Sequence, residues 1–167
     1  IQMLWINMIM DTFAGLAFSF EPALKRYMFE PPKKKNEPII NSYMYKQIIF
    51  TGSYSALLCI LFLKLPLFKE TAYFALFIFI GVFNAFNART ERINLFADIK
   101  KNRIFMLTIS FIVIVQIYLI YNGGDLFRTY GLTLKELILV VLLSFSVVPI
   151  DLIRKFYIRK KGHVSSV

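Results

Sequence analysis

Cysteine and histidine are nearly missing from this sequence, which holds one of each, Cys59 and His163. A lone cysteine excludes an internal disulfide and a cysteine-rich metal centre, and leaves the redox compartment unreadable. His163 sits in a basic tail and reads as a solvated residue. Acidic residues are also scarce: 10 Asp and Glu stand against 20 Lys and Arg, for a net charge of +10. No glycine-rich phosphate loop, nucleophile–base pair, internal repeat or low-complexity tract is visible. Nor is there a signal-peptide layout of basic start, short apolar core and small-residue cleavage site. No period-two alternation of strand length appears, which disfavours a membrane barrel.

What the sequence has in excess is apolar surface. Hydrophobic residues make up 57% of 167, with 18 Phe and 9 Tyr, and the mean hydropathy is +0.61. That is too apolar for an ordinary soluble domain and fits a membrane protein. The chain starts at Ile1, on the edge of an apolar run, and the expectation is a segment of a longer protein. A helix needs about 20 mainly apolar residues to cross ~30 Å of hydrocarbon. Five stretches qualify, at about 1–20, 43–65, 71–88, 104–121 and 133–153. The expected fold is an all-α membrane protein, a bundle of five transmembrane helices that occupies 1–167 as one domain.

Charge then orients the bundle. Lys25, Arg26, Lys33, Lys34, Lys35 and Lys46 lie between spans one and two or at the start of span two. Arg89, Arg92, Lys100, Lys101 and Arg103 follow span three. Arg154, Lys155, Arg159, Lys160 and Lys161 follow span five. Only Lys64, Lys69, Arg128 and Lys135 fall near the other side. Basic short loops stay cytoplasmic. The C-terminal end is therefore expected inside and the N-terminal end outside, with the bilayer as the first partner. The positive charge reads as topology, and no nucleic acid is expected. The loop FEPPKKKNEPII (29–40) is proline-rich and charged, a natural linker. KLPLFKE (64–70) and NGGDLFRTYG (122–131) are short outside turns.

Inside the first span, LWINMIMDTF (4–13) carries Asn7 and Asp11. A charged aspartate in the middle of a membrane helix costs on the order of 2.5–3.5 kcal/mol on insertion scales, so such residues face the bundle interior and mark ion paths or proton relays. A spacing of four puts both side chains on one helix face. Together they offer a carboxylate and an amide oxygen, which suit a hard cation such as Ca²⁺. Two ligands do not fill its shell, so others must come from elsewhere. The competing reading is a protonated Asp11 hydrogen-bonded to a neighbouring helix. Elsewhere, Asn84 and Asn87 are expected to bond across helices or cap a helix end. Gln116 is expected to make an interhelical hydrogen bond, and Gly52 with Ala56 a close helix contact. Pro149 is expected to kink span five. Asp151 is expected to form an interfacial ion pair with Arg154 and Lys155.

The stretch QMLWINMIMDTFAGLAFSFEP (2–22) resembles the sixth membrane helix of P-type calcium-transporting ATPases, and MDTFA leans to their plasma-membrane type. EPIINSYMYKQ (37–47) resembles the approach to the seventh helix, FNAFNAR (83–89) the inner end of the eighth, and VVPIDLIRKF (147–156) the tenth. The likeness is co-linear over essentially the whole chain. It implies that Asn7 and Asp11 are metal ligands that coordinate transported Ca²⁺ near the midplane, on a helix locally unwound there, with Thr12 and Gly15 compatible. Two-site pumps of the reticulum carry a threonine where Met10 stands and a glutamate where Gly81 stands, so one Ca²⁺ per cycle is expected. ATP and Mg²⁺ would act in cytoplasmic domains outside this chain, and helices one to five would complete the site. The chain alone is expected to be inactive. Location in the plasma membrane follows from the same likeness. Two alternatives stay open: a pump for Mn²⁺ or for both ions, since the Asn-x-x-Met-Asp pattern also resembles secretory-pathway pumps, and a non-catalytic helix bundle.

Overall fold

The computed structural model describes residues 2–22, 29, 36, 38, 40–64 and 70–160, without the side chains of Met3, Asn7, Met10 and Asp11. The first span is helical from end to end but not uniform. It consists of α1 (Gln2–Ile9), a π turn (Met10–Ala14) and α2 (Gly15–Ser19). Next come α3 (Ser42–Lys64), α4 (Glu70–Arg89), a 3₁₀ turn (Ile99–Lys101) and α5 (Arg103–Asn122). A short α6 (Gly124–Phe127) leads to α7 (Leu134–Phe145) and α8 (Val147–Lys160). Among the described residues there is no strand beyond one isolated bridge, Gly124 to Thr129. The fold is an all-α membrane helix bundle.

Among the described residues, four helical stretches are long and apolar enough to cross a bilayer: Ser42–Lys64, Glu70–Arg89, Arg103–Asn122 and Leu134–Lys160; the first span, interrupted by its π turn, is not one of them. These bounds fall within a residue or two of the expected spans, except that the last continues to Lys160. It is broken at Ser146, three residues before Pro149. Proline lacks the N–H that would bond the carbonyl four residues back, and its ring crowds that carbonyl. The break therefore falls one turn upstream of the proline and not at it. Ser146 closes the gap: its N–H bonds Leu143 O at 3.2 Å and its carbonyl accepts from Ile150 N at 3.4 Å.

α4 is the central post. It is apolar on all sides, as a helix wrapped by others must be, and it separates two cores. On one side Phe74, Ile78 and Val82 pack with Ile6, Ile9 and Ala17 of the first span and with Phe105, Ile109 and Ile112 of α5. On the other, Ala75, Leu76 and Phe79 pack with Cys59 and Phe62 of α3, Val140 of α7 and Val147 of α8. Ser144 of α7 donates to Leu76 O across this seam at 3.3 Å. The outward faces of α3, α5 and α7 are apolar and exposed, Leu63, Leu107 and Leu142 among them. Such a surface suits acyl chains and not water.

The helix ends sort the charges. Glu21, Tyr43, Arg89–Arg103 and Arg154–Lys160 gather at one end, through contacts among them described below. At the opposite end Gln2 donates to Phe127 O, and Tyr130 N bonds Thr71 Oγ1 at 3.1 Å. Gly124 and Gly131 hold positive φ, 51° and 73°, in the turn there. Phe127 from the same turn enters the core, edge-on to Trp5 at 5.6 Å between centroids.

Candidate cation site on the interrupted first helix

The first span is where polar residues fall in an otherwise apolar run, and it is where the backbone departs from an α-helix. Asn7 lies in the last turn of α1 and Asp11 inside the π turn. Their side chains are outside the described residues, as is that of Met10. A π turn bonds i to i+5, so it holds an extra residue per turn and leaves backbone groups out of the regular ladder; such turns occur mostly at functional sites. In a bilayer, irregular backbone persists only where protein or a water-lined cavity receives it. The resemblance implied local unwinding here. The structure has a widened helical turn instead, with Ala14 still at φ −66°, ψ −41°. No proline interrupts this segment, so every residue of it can keep helical dihedrals while the register slips.

The flanks of the turn are fixed by apolar packing. Ile6 and Ile9 above it and Ala17 below it are buried against α4 and α5. Phe13 meets Phe111 at 5.4 Å and Phe18 meets Phe105 at 6.1 Å between centroids. The opposite face, Leu4, Met8, Thr12 and Leu16, repeats every four residues and is exposed. Gly15 lies on it too, and a Cβ there would meet nothing within 4 Å. Among the described residues, no three His, Cys, Asp or Glu side chains come together.

A second polar region lies between α3, α4 and α8. Asp151 is fully buried and accepts from Arg154 Nε at 2.6 Å, with Lys155 Nζ 3.1 Å from its other oxygen. Thr51 Oγ1 donates to it from α3 at 3.3 Å. Lys155 also donates to Asn87 O and Thr90 O, both at 2.8 Å, and so satisfies the last carbonyls of α4. Arg154 reaches Tyr43 Oη at 3.2 Å and lies 4.7 Å from its ring centre. The expected ion pair is present, but in the protein interior and not at an interface. Asn84 and Asn87 do bond across helices, to Ser55 Oγ and Val147 O, both at 3.3 Å.

One expectation fails. Gln116 is buried, yet its Nε2 has no hydrogen-bond partner among the described residues. Gly52 and Ala56 lie exposed on α3, and a Cβ at Gly52 would meet nothing within 4 Å; the helix expected against them, the fifth of the family, lies outside this chain. Sequence reasoning also missed a third cluster, of Glu21, Arg89 and Asn102. Arg89 Nη1 donates to Glu21 Oε1 at 2.9 Å, and Asn102 Nδ2 donates to Glu21 Oε2 at 2.7 Å. The only sequence signal was an acid ending the polar-marked span. In the loop beyond Arg89, Asp98 takes Lys101 at 2.7 Å and Arg92 at 3.0 Å. The Lys101 hydrogen bond, then its charge, holds the Asp98 carboxyl below the usual aspartate value, with Arg92 adding to it. His163, Lys161 and most of the linker 23–39 lie outside the described residues.

Acids within apolar helices mark ion paths, and irregular backbone at membrane depth lines such sites; the acid-bearing, interrupted first helix fits a cation-transport family, and comparison with known proteins agrees. Residues 1–157 match the family described as cation transporting ATPase, C-terminus, and the chain belongs to that family. It is 34% identical over 184 residues to calcium-transporting ATPase PAT1 of Dictyostelium discoideum, covering 96% of this chain and 16% of that protein. It is 33% identical over 157 residues to plasma membrane calcium-transporting ATPase 2 of Oreochromis mossambicus, covering 81% and 14%. It is 30% identical over 172 residues to calcium-transporting ATPase 8, plasma membrane-type, of Arabidopsis thaliana, covering 93% and 16%. The chain thus spans about a sixth of the length of the relatives it matches.

Proposed function

We propose that this chain is the C-terminal membrane domain of an ATP-driven Ca²⁺ pump, and that Asn7 and Asp11 supply part of one cation site near the midplane. The observation that carries this reading is the π turn, which falls on Met10–Ala14 and so on Asp11 itself. The names of the relatives support Ca²⁺ as the transported ion. A carboxylate and an amide oxygen one turn apart provide hard donors, while Met10 and Gly81 offer none at the places where two-site pumps have ligands. The remaining ligands come from helices outside this chain, and ATP and Mg²⁺ act in domains outside it. The exposed face of Leu4, Met8, Thr12 and Leu16 supports a neighbouring helix on that side.

Transport then runs by alternating access. Ca²⁺ reaches Asp11 from the basic, cytoplasmic end and leaves toward the end marked by Phe127, with the plasma membrane as the location. Asp11 exchanges Ca²⁺ for a proton as the site turns outward. Bound Ca²⁺ per phosphorylated full-length protein tests the single site: one is expected, and two contradict it. Transport that ignores outside pH would count against the proton step.

A further inference from the structure

The two halves of the interrupted span are held by different forces. Among the described side chains, the outer half, α1, is held by apolar contacts, the Trp5–Phe127 edge and one hydrogen bond from the Gln2 amide to Phe127 O. The inner half, α2, ends in a charged network that joins the half-buried Glu21 to a buried arginine. Arg89 is the last residue of α4 and its side chain has no exposed surface. It donates to Glu21 Oε1 at 2.9 Å, to Leu95 O at 2.9 Å and to Ala97 O. Asn102 closes the network from α5. Its Oδ1 accepts from Phe105 N at 2.8 Å and so caps α5. Its Nδ2 donates to Ala17 O at 3.2 Å, a free carbonyl at the end of α2, and to Glu21 Oε2 at 2.7 Å.

One asparagine therefore caps one helix and ends another, and one arginine joins both to α4. Lys155 also grips the end of α4, so the network is continuous with α8. A buried guanidinium left without its carboxylate is strongly disfavoured, so such a network holds one arrangement or breaks, and it does not slide. Apolar packing of the α1 kind has no such preference.

We propose that Glu21, Arg89 and Asn102 are positioning residues for the cation site, which fix α2 to the ends of α4 and α5 and make the π turn the joint of the first span. Asp11 lies ten residues before Glu21, across the π turn and α2, so a fixed α2 sets its height and rotation while α1 moves. The inference rests on the reading of Asp11 as a cation ligand.

The test is Ca²⁺-dependent phosphorylation of the full-length protein from ATP, measured as half-saturating Ca²⁺ and, separately, as yield and thermal midpoint. Arg89→Ala is expected to raise half-saturating Ca²⁺ roughly tenfold, and Glu21→Gln several-fold in the same direction. The double variant is expected to shift no further than Arg89→Ala alone, because the two residues act as a unit. A role in stability alone lowers yield and thermal midpoint and leaves half-saturation at the wild-type value, which overturns the proposal. Fully additive shifts overturn it too. If Arg89→Ala yields no protein, Arg89→Lys keeps the charge and loses the fork; a smaller shift of the same sign is expected, and none overturns the proposal. A wild-type protein that does not respond to Ca²⁺ overturns the functional reading itself, an outcome distinct from unshifted variants of a responsive protein.

Discussion

At Asp151, two cations share one carboxylate with almost no access to water. Arg154 and Lys155 lie on the same helix face, three and four residues on, and each is nearly buried. Removing the acid leaves both uncompensated. Asp151→Ala should therefore destabilise the bundle by on the order of 3–5 kcal/mol, read as a fall in unfolding midpoint in detergent. A change within experimental scatter would show that water reaches the site. This pair was legible in the sequence because both partners are local. Arg89 was not: its charge follows an apolar run and reads as a topology signal, while Glu21 stands 68 residues away. Gln116 fails for a related reason. A polar residue in an apolar run announces a need for a partner and says nothing about which helix will provide one.

Elements were legible where apolar length decides them. The bounds of α3, α4 and α5 follow from runs that match a bilayer, ended by proline, charge or glycine. The π turn was not legible from periodicity, because one extra residue in five barely disturbs a 3.6 repeat when every neighbour is apolar. The polar pair, and the local unwinding that the resemblance implied there, marked the place. The loop from α4 to α5 is held at both ends by side chains, and two measurements probe it. Asn102→Ala removes a cap from α5 and a partner from α2, and should reduce stability by about 1 kcal/mol or more; no loss would mean the caps are replaced by other groups. Asp98 should titrate below 3.8, its ordinary value, in a carboxyl-carbon NMR titration. The sign follows from the lowered value: the Lys101 and Arg92 contacts contribute fully above the ordinary aspartate value and are lost as pH falls through the lowered one. A midpoint at or above 3.8 would contradict the observed pairing.

Across the described residues, α3, α5, α7 and α8 pack around α4, and the first span lies on the flank of that block. α4 is covered on both sides, and its inner end is gripped by Lys155 from α8 and, through Arg89, by the end of the first span. The outer face of that span is bare. The orientation predicted from charge places Arg92 in the cytoplasm and Asp125 outside. With Cys59 replaced by alanine, a cysteine at position 92 should react with an impermeant reagent only from the inside, and one at 125 only from the outside. The reverse pattern would invert the transport direction. Whether the acid in the π turn binds the transported ion is read from ATP hydrolysis by the full-length protein, wild type against Asp11→Asn, titrated with Ca²⁺ and with Mn²⁺. Stimulation of the wild type by roughly micromolar Ca²⁺, lost in Asp11→Asn, is the expected result; an Asp11→Asn protein that keeps its Ca²⁺ response would contradict the site.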